Sequence, residues 1–255
     1  MKATLTVLGS GTSMGVPTLG CPCAVCHSAD PMDRRTRPSV MVSYGGRNVV
    51  IDTTPDFRQQ AIRECITRVD AVLYTHAHAD HILGLDDLRP LTFRGVDIPL
   101  YADAPTLVRL QEIFGYIFAG EYKYGGSARV VLNDLDGDLD LWGAKFRQVK
   151  VKHGESDILG FTFGSAAYLT DFSDIPEESM AQLKGLDILF LDALRHKPHP
   201  THSTLSNSLR LVEELKPRRA FFTHISHDLP HVATNAALPA NVRLSHDGLK
   251  LEFEI

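Results

Sequence analysis

Apolar positions in this chain come in short runs that stop on a polar residue, and few are spaced for one face of a long helix. Residues 4–8 predict a strand that enters the glycine-rich stretch Gly9-Ser10-Gly11-Thr12-Ser13-Met14-Gly15-Val16-Pro17. That stretch lacks the Lys-Ser/Thr ending of a phosphate-binding loop and no helix pattern follows it, so it reads as a tight connection near a site. Residues 39–44 and 48–51 predict a hairpin about Gly45-Gly46, whose second strand ends on Asp52-Thr53-Thr54-Pro55-Asp56. Pro55 and Asp56 mark the first turn of a helix running to about residue 67, with Cys65 as a core side chain. Further strands are expected at 71–73, 98–102, 146–151, 166–170 and 220–223, and helices at 85–92, 105–114 and 205–215, the last capped by Ser203 or Thr201. The stretch Leu186-Asp187-Ile188-Leu189 echoes Val69-Asp70-Ala71-Val72, a weak internal repeat.

Composition changes this picture little. With 255 residues, 44% hydrophobic and 22% charged, the chain has the length for one large domain spanning 1–255 with a sizeable core. It holds no stretch of the roughly 20 apolar residues that a membrane span needs, and it starts directly on a strand, so no membrane partner and a cytoplasmic location are expected. A formal charge of −5 argues against general nucleic-acid binding, which rests on clustered Lys and Arg. A homodimer is compatible with all of this.

The chemistry gathers at strand ends. His76, His78, Asp80 and His81 follow the run Ala71-Val72-Leu73. Alternate side chains of an extended segment share a side, so His76, His78 and Asp80 are expected to point one way while His81 opens the next helix. Three imidazoles and a carboxylate suit two metals better than one, because a single catalytic zinc takes three protein ligands and keeps a position open. His153, Asp171 and His224 each close an apolar run in the same manner. A bridging carboxylate holds two like-charged cations close, and Asp171 is the natural choice for it. Asp52 stands ready to orient a metal-bound histidine, or else to make an Asx turn or a cap.

Cys21, Cys23 and Cys26, three of the four cysteines, lie within six residues. Thiols so close in a reducing compartment argue for a zinc that staples the loop 20–27 rather than for disulfides. The fourth ligand is expected to be His227: in a helical first turn the rings of His224 and His227 diverge, one to each site. His196, His199 and His202 precede the helix at 205–215, and spacing does not separate them. Tyr116, Phe118, Tyr122 and Tyr124 sit among glycines at 115–127, as a substrate lid or as a small hydrophobic cluster.

The motif His76-x-His78-x-Asp80-His81 at the end of a strand resembles the signature of the metallo-β-lactamase superfamily. The resemblance implies an α/β fold, an αβ/βα sandwich of two packed mixed sheets flanked by helices, with a two-metal site at one edge. The stretches Gly20-Cys21-Pro22-Cys23-Ala24-Val25-Cys26, Ile51-Asp52-Thr53-Thr54-Pro55-Asp56-Phe57-Arg58 and Thr223-His224-Ile225-Ser226-His227 resemble its phosphonate-pathway branch of phosphoribosyl cyclic phosphodiesterases. That branch implies one metal on His76, His78, His153 and Asp171, a second on Asp80, His81, Asp171 and His224, and a structural zinc on Cys21, Cys23, Cys26 and His227. It also makes His202, in Thr201-His202-Ser203-Thr204-Leu205, the general acid.

The expected function is hydrolysis of a cyclic or small phosphodiester to a monoester by hydroxide activated between two divalent metals, with Asp80, Asp171 and His202 catalytic. Manganese, zinc and iron all suit the donors. The alternatives are a transfer-RNA-processing phosphodiesterase, which normally carries a long basic arm that is missing here, and a non-catalytic metal-binding accessory protein of cofactor biosynthesis.

Overall fold

The short apolar runs become strands, and a computed structural model describes them over residues 1–93, 95–118 and 126–255. The first half carries β1 (Lys2–Gly9), β2 (Ser39–Tyr44), β3 (Arg47–Ile51), β4 (Ala71–Leu73), β5 (Ile98–Ala102) and β6 (Val130–Asp134). From β3 onward these strands are joined by α1 (Phe57–Arg63), α2 (Ala79–Ile82), α3 (Arg89–Thr92), α4 (Ala104–Ile113) and α5 (Gly115–Phe118). The second half carries β7 (Leu139–Leu141), β8 (Ala144–His153), β9 (Ser156–Phe163), β10 (Ala166–Tyr168), β11 (Ile188–Asp192), β12 (Arg219–Thr223), β13 (Val242–Leu244) and β14 (Lys250–Glu254), with α6 (Glu177–Met180), α7 (Leu205–Leu215) and α8 (His231–Ala237).

The strands form two seven-stranded sheets, ordered β14-β1-β2-β3-β4-β5-β6 and β13-β12-β11-β10-β9-β8-β7. Each is antiparallel on one side and parallel on the other, the parallel parts being β3 to β6 and β10 to β13. The echo between the halves has a structural counterpart, since β4 and β11 are each third from the parallel edge of their sheet.

Parallel strands are buried on both faces, which is why their sequences read as continuous apolar runs. Leu73 and Phe190 face the partner sheet, alongside Leu5, Phe146, Phe161 and Phe163. Val72 packs outward with Phe57 of α1 and Leu110 of α4, and Leu189 and Leu191 pack with Leu211 and Leu215 of α7. This is the αβ/βα sandwich. Each such fully buried side chain contributes about 1.5–3 kcal/mol, and it is this apolar frame that tolerates polar donors buried at its edge. No described helix is long and apolar enough to cross a membrane.

Several local expectations change. Helix α1 stops at Arg63 rather than near residue 67, because Cys65 takes a left-handed φ of 54°. Ile66 N–H then bonds Ala61 O at 2.8 Å and Cys65 N–H bonds Ile62 O at 3.2 Å, a Schellman closure with cysteine where glycine is usual. Cys65 is therefore exposed and not in the core. Pro55 precedes the helix, and the Asp56 carboxylate bonds Arg37 at 3.0 Å instead of capping it. Thr204, rather than Ser203 or Thr201, caps α7 by accepting from Asn207 N. Tyr116 and Phe118 lie in α5, while Tyr122 and Tyr124 fall outside the described residues.

Candidate metal centre

The parallel strands end on a common edge, and the polar residues that follow them meet there. His78 caps α2 with extended backbone (φ −68°, ψ 151°), and the helical turn after it swings Asp80 away from His76 and His78. The simple alternation expected for these three side chains therefore fails at Asp80. His76 and His78 join His153 in one group, whereas Asp80 and His81 join Asp171 and His224 in another; the donor atoms within each lie within 4.8 Å of one another. Asp171 also groups with His153 and His202, so it stands between the two. Its Oδ1 is 3.3 Å from His81 Nε2 and its Oδ2 is 3.2 Å from His224 Nε2. Asp52, Asp171 and His224 leave their strand ends with φ of 66°, 57° and 56°. Such left-handed residues cost on the order of 1–3 kcal/mol each, a strain that collects at sites of this kind.

The far nitrogen of most rings is already engaged. His81 Nδ1 lies 2.7 Å from Asp52 Oδ2, His76 Nδ1 lies 3.0 Å from Thr75 Oγ1, and His153 Nδ1 donates to the Asp171 carbonyl. The other nitrogens of His76 and His81 are buried without a hydrogen-bond partner, as are Asp80 Oδ2 and both ring nitrogens of His224. Buried orphan atoms of this kind, converging from imidazoles and carboxylates, fit divalent cations. Charge shows the same crowding. Burial opposes a proton on His81, but Asp171, Asp80 and Asp52 around it raise its pKa well above the usual value. Burial likewise opposes charge on Asp171, yet His224 and His81 hold it well below the carboxylate range.

His202 stacks on His224 with ring centroids 4.6 Å apart, and its Nδ1 lies 2.8 Å from Asp192 Oδ2. His199 is one ring further out, its Nδ1 accepting from Thr201, and His196 is exposed. Position thus separates three histidines that spacing could not. Asp192 escaped the sequence reading. Its signal was the one used for Asp171, a lone acid closing an apolar strand. Beside His76, His78 and His153 opens a cavity of about 250 Å³, lined also by Asp103, Thr106, Arg109 and Ser156.

The cysteine loop closes on the other end of the segment that begins at His224. Cys21, Cys23 and Cys26 Sγ lie 3.3, 3.7 and 3.3 Å from His227 Nδ1. Zinc bonds of about 2.3 Å to sulfur and about 2.0 Å to nitrogen put tetrahedral ligands about 3.5 Å apart, so this spacing fits a closed zinc site. The two rings do not diverge through a helical turn as expected. His224 is left-handed and Ile225 is extended, bridging to Gly11.

Set on this sandwich in this order, these residues place the chain in the metallo-β-lactamase superfamily, to which it belongs: the model of the β-lactamase superfamily domain matches residues 47–225. Within the superfamily its branch is that of PhnP. A crystal structure of a diphosphatase from the PhnP family is 62% identical, superposes with a TM-score of 0.94 and covers 99% of this chain and 98% of the other. Zinc-bound PqqB from Methylobacterium extorquens shares the fold at 21% identity and a TM-score of 0.81, covering 97% and 99%. An octanoyltransferase of Porphyromonas gingivalis is 36% identical over 249 residues, 96% of this chain; the chain spans about half the length of that relative.

Proposed function

We propose that this PhnP-family metallo-hydrolase cleaves a small or cyclic phosphodiester to a monoester. The observation that carries the reading is the Asp192–His202 pair set beside two donor groups that share Asp171. Two divalent cations, one with His76, His78, His153 and Asp171 and one with Asp80, His81, Asp171 and His224, would neutralise phosphoryl oxygens and lower the pKa of a water toward neutrality. Manganese, zinc or iron suits these donors, and Cys21, Cys23, Cys26 and His227 would hold a structural zinc.

The chain's own residues do the rest. Burial opposes charge on Asp80, yet His81 and His224 hold its carboxyl well below the usual carboxylate range, with Oδ2 3.3 Å from His81 Nε2, so it stays ionised and would help to hold the second cation. Burial, with His224 alongside, presses His202 down to about 4, and burial raises Asp192 well above the carboxylate range. The pair therefore shares one proton across the Oδ2···Nδ1 bond instead of carrying two charges. When the leaving alkoxide takes the proton on His202 Nε2, the Asp192 proton passes to Nδ1, and the pair ends one proton poorer. Arg109 also lines the cavity, with its guanidinium ion-paired to Glu112 of the same helix.

A second reading rests on the 62%-identical diphosphatase. The same donors could serve a diphosphate, whose leaving phosphate needs no proton. The two readings part at His202. With metal-loaded protein, His202→Ala is expected to slow a cyclic nucleotide, an alkoxide leaver, by about 10²–10⁴-fold, and bis(p-nitrophenyl) phosphate by under about tenfold. Turnover of diphosphates alone, unchanged by His202→Ala, would move the assignment to the second reading. No turnover of any phosphodiester or diphosphate would end both.

A further inference from the structure

The two donor groups draw on different strands, yet one donor of each, His76 and His81, is linked to a single buried carboxyl group. Asp52 and Thr75 are both fully buried, at the ends of the neighbouring parallel strands β3 and β4. Backbone amides tie the two strand ends together: Asp52 N–H donates to Leu73 O at 2.9 Å, and Thr75 N–H donates to Asp52 Oδ1 at 2.9 Å. Asp52 Oδ2 receives His81 Nδ1 directly, at 2.7 Å. The same oxygen receives the Thr75 hydroxyl at 2.9 Å, and that hydroxyl lies 3.0 Å from His76 Nδ1.

We propose that Thr75 is a positioning residue: its hydroxyl carries the pull of the Asp52 carboxylate to His76, so that one carboxylate orients a metal donor in each of the two groups. The count of protons argues for it. A hydroxyl has one proton to give. Here it goes to Asp52 Oδ2, because the reverse arrangement would set an oxygen lone pair against a carboxylate oxygen in an apolar interior. Thr75 Oγ1 can then only accept from His76, so Nδ1 carries the imidazole proton and Nε2 is left bare. Nε2 is the atom of His76 that is buried without a partner, and the same holds for His81. Carboxylate, hydroxyl and imidazole in series also raise the basicity of the free nitrogen, as a carboxylate does for a histidine that it touches. Asp52 is rigid enough for the task, since its carbonyl accepts from Ser39 Oγ at 2.8 Å.

The inference rests on the metal-centre reading above, and the test separates the two. Long-range ¹H–¹⁵N spectra of the metal-free protein at pH 7.5 read the tautomer of His76 in the wild type. A proton on Nδ1 is expected; a proton on Nε2 overturns the proposal without any variant being made. Competition titrations with Mn²⁺ and Zn²⁺ then compare Thr75→Val, which keeps the shape, with Thr75→Ser, which keeps the hydroxyl. Thr75→Val is expected to weaken metal binding by about 10–100-fold and Thr75→Ser to stay within about threefold of wild type. Equal losses in both variants would show that keeping the hydroxyl does not preserve the site, a loss in Thr75→Ser alone would point to packing of the methyl group, and no loss in either would remove the hydroxyl from the argument; each result overturns the proposal. A wild type that takes up no metal beyond its cysteine cluster would instead sink the metal-centre reading, and the His76 tautomer would still decide the role of Thr75.

Discussion

His224 and His227 stand three residues apart and belong to clusters built in opposite ways. In the His/Asp cluster most donors close a β-strand or open α2, and the far side of the ring is pinned: His81 by Asp52, His76 by Thr75, His153 by the Asp171 carbonyl. Cys21, Cys23 and Cys26 lie in irregular chain between β1 and β2, the first two half-buried and the third buried, steadied by little more than backbone amides such as Thr18 N–H on Cys26 Sγ. The first cluster is laid out by the ends of two packed sheets. The second has few neighbours to lay it out, so an ion there would order its own loop. The two are coupled, because the segment after His224 leans on that loop. Ile225 exchanges hydrogen bonds with Ser10 and Thr12, and the fully buried Arg35 donates to Ser226 O at 2.8 Å and to Leu229 O at 2.7 Å.

This contrast can be broken at either end. The largest effect is expected for Asp171→Ala, which removes the carboxylate facing both His81 and His224. Activity should fall by about 10³-fold or more, the scale of several kcal/mol of charge stabilisation, while the cysteine cluster keeps its metal. Elemental analysis per chain alongside a phosphodiesterase assay checks both halves, and loss of the cysteine-bound metal as well would deny the separate build of the two clusters. Cys23→Ser comes next. It should cost one metal per chain and about tenfold in activity, with hydrogen exchange rising over residues 10–35 and 224–229. Faster exchange in the loop with full activity would show that His224 does not depend on it.

The smallest effect lies outside both clusters and sets the scale for them. Burial pushes Glu64 up, but hydrogen bonds from Arg63 and Lys250 overcome it and leave its pKa below the usual 4.5. A carboxylate depressed on folding contributes stability that is present above the unfolded value and lost as pH falls through the folded one. Glu64→Gln should therefore lower stability at pH 7 by under about 1 kcal/mol and leave it nearly unchanged near pH 3, as thermal melts across that range would record.

Much of the site was legible residue by residue. His76, His78, His81, His153, Asp171 and His224 each announce themselves by closing an apolar run or by crowding in one loop, and local order alone carries that signal. Asp80 was legible as a candidate but not in its grouping, because the turn of α2 sends it to His81 and His224. Cys65 read as core because its surroundings are apolar, while the left-handed cap that exposes it is a backbone decision that composition does not carry. Asp192 carries the same local mark as Asp171, an acid closing an apolar strand, but its pairing does not show in sequence, since His202 reaches it only after the chain has turned back.

By itself the chain's order of residues determined the strands, the donor types, the cluster of cysteines and the family resemblance, since these depend on spacing and side-chain chemistry within a few residues. Tertiary structure alone decided which donors meet, which of His196, His199 and His202 enters the site, that Asp52 and Thr75 each contact a ring of a different group, and that the chain between β1 and β2 packs against the segment after His224. Those outcomes depend on contacts between segments brought together by burying apolar faces, and a polar residue's distance along the chain says nothing about which sheet edge it will share.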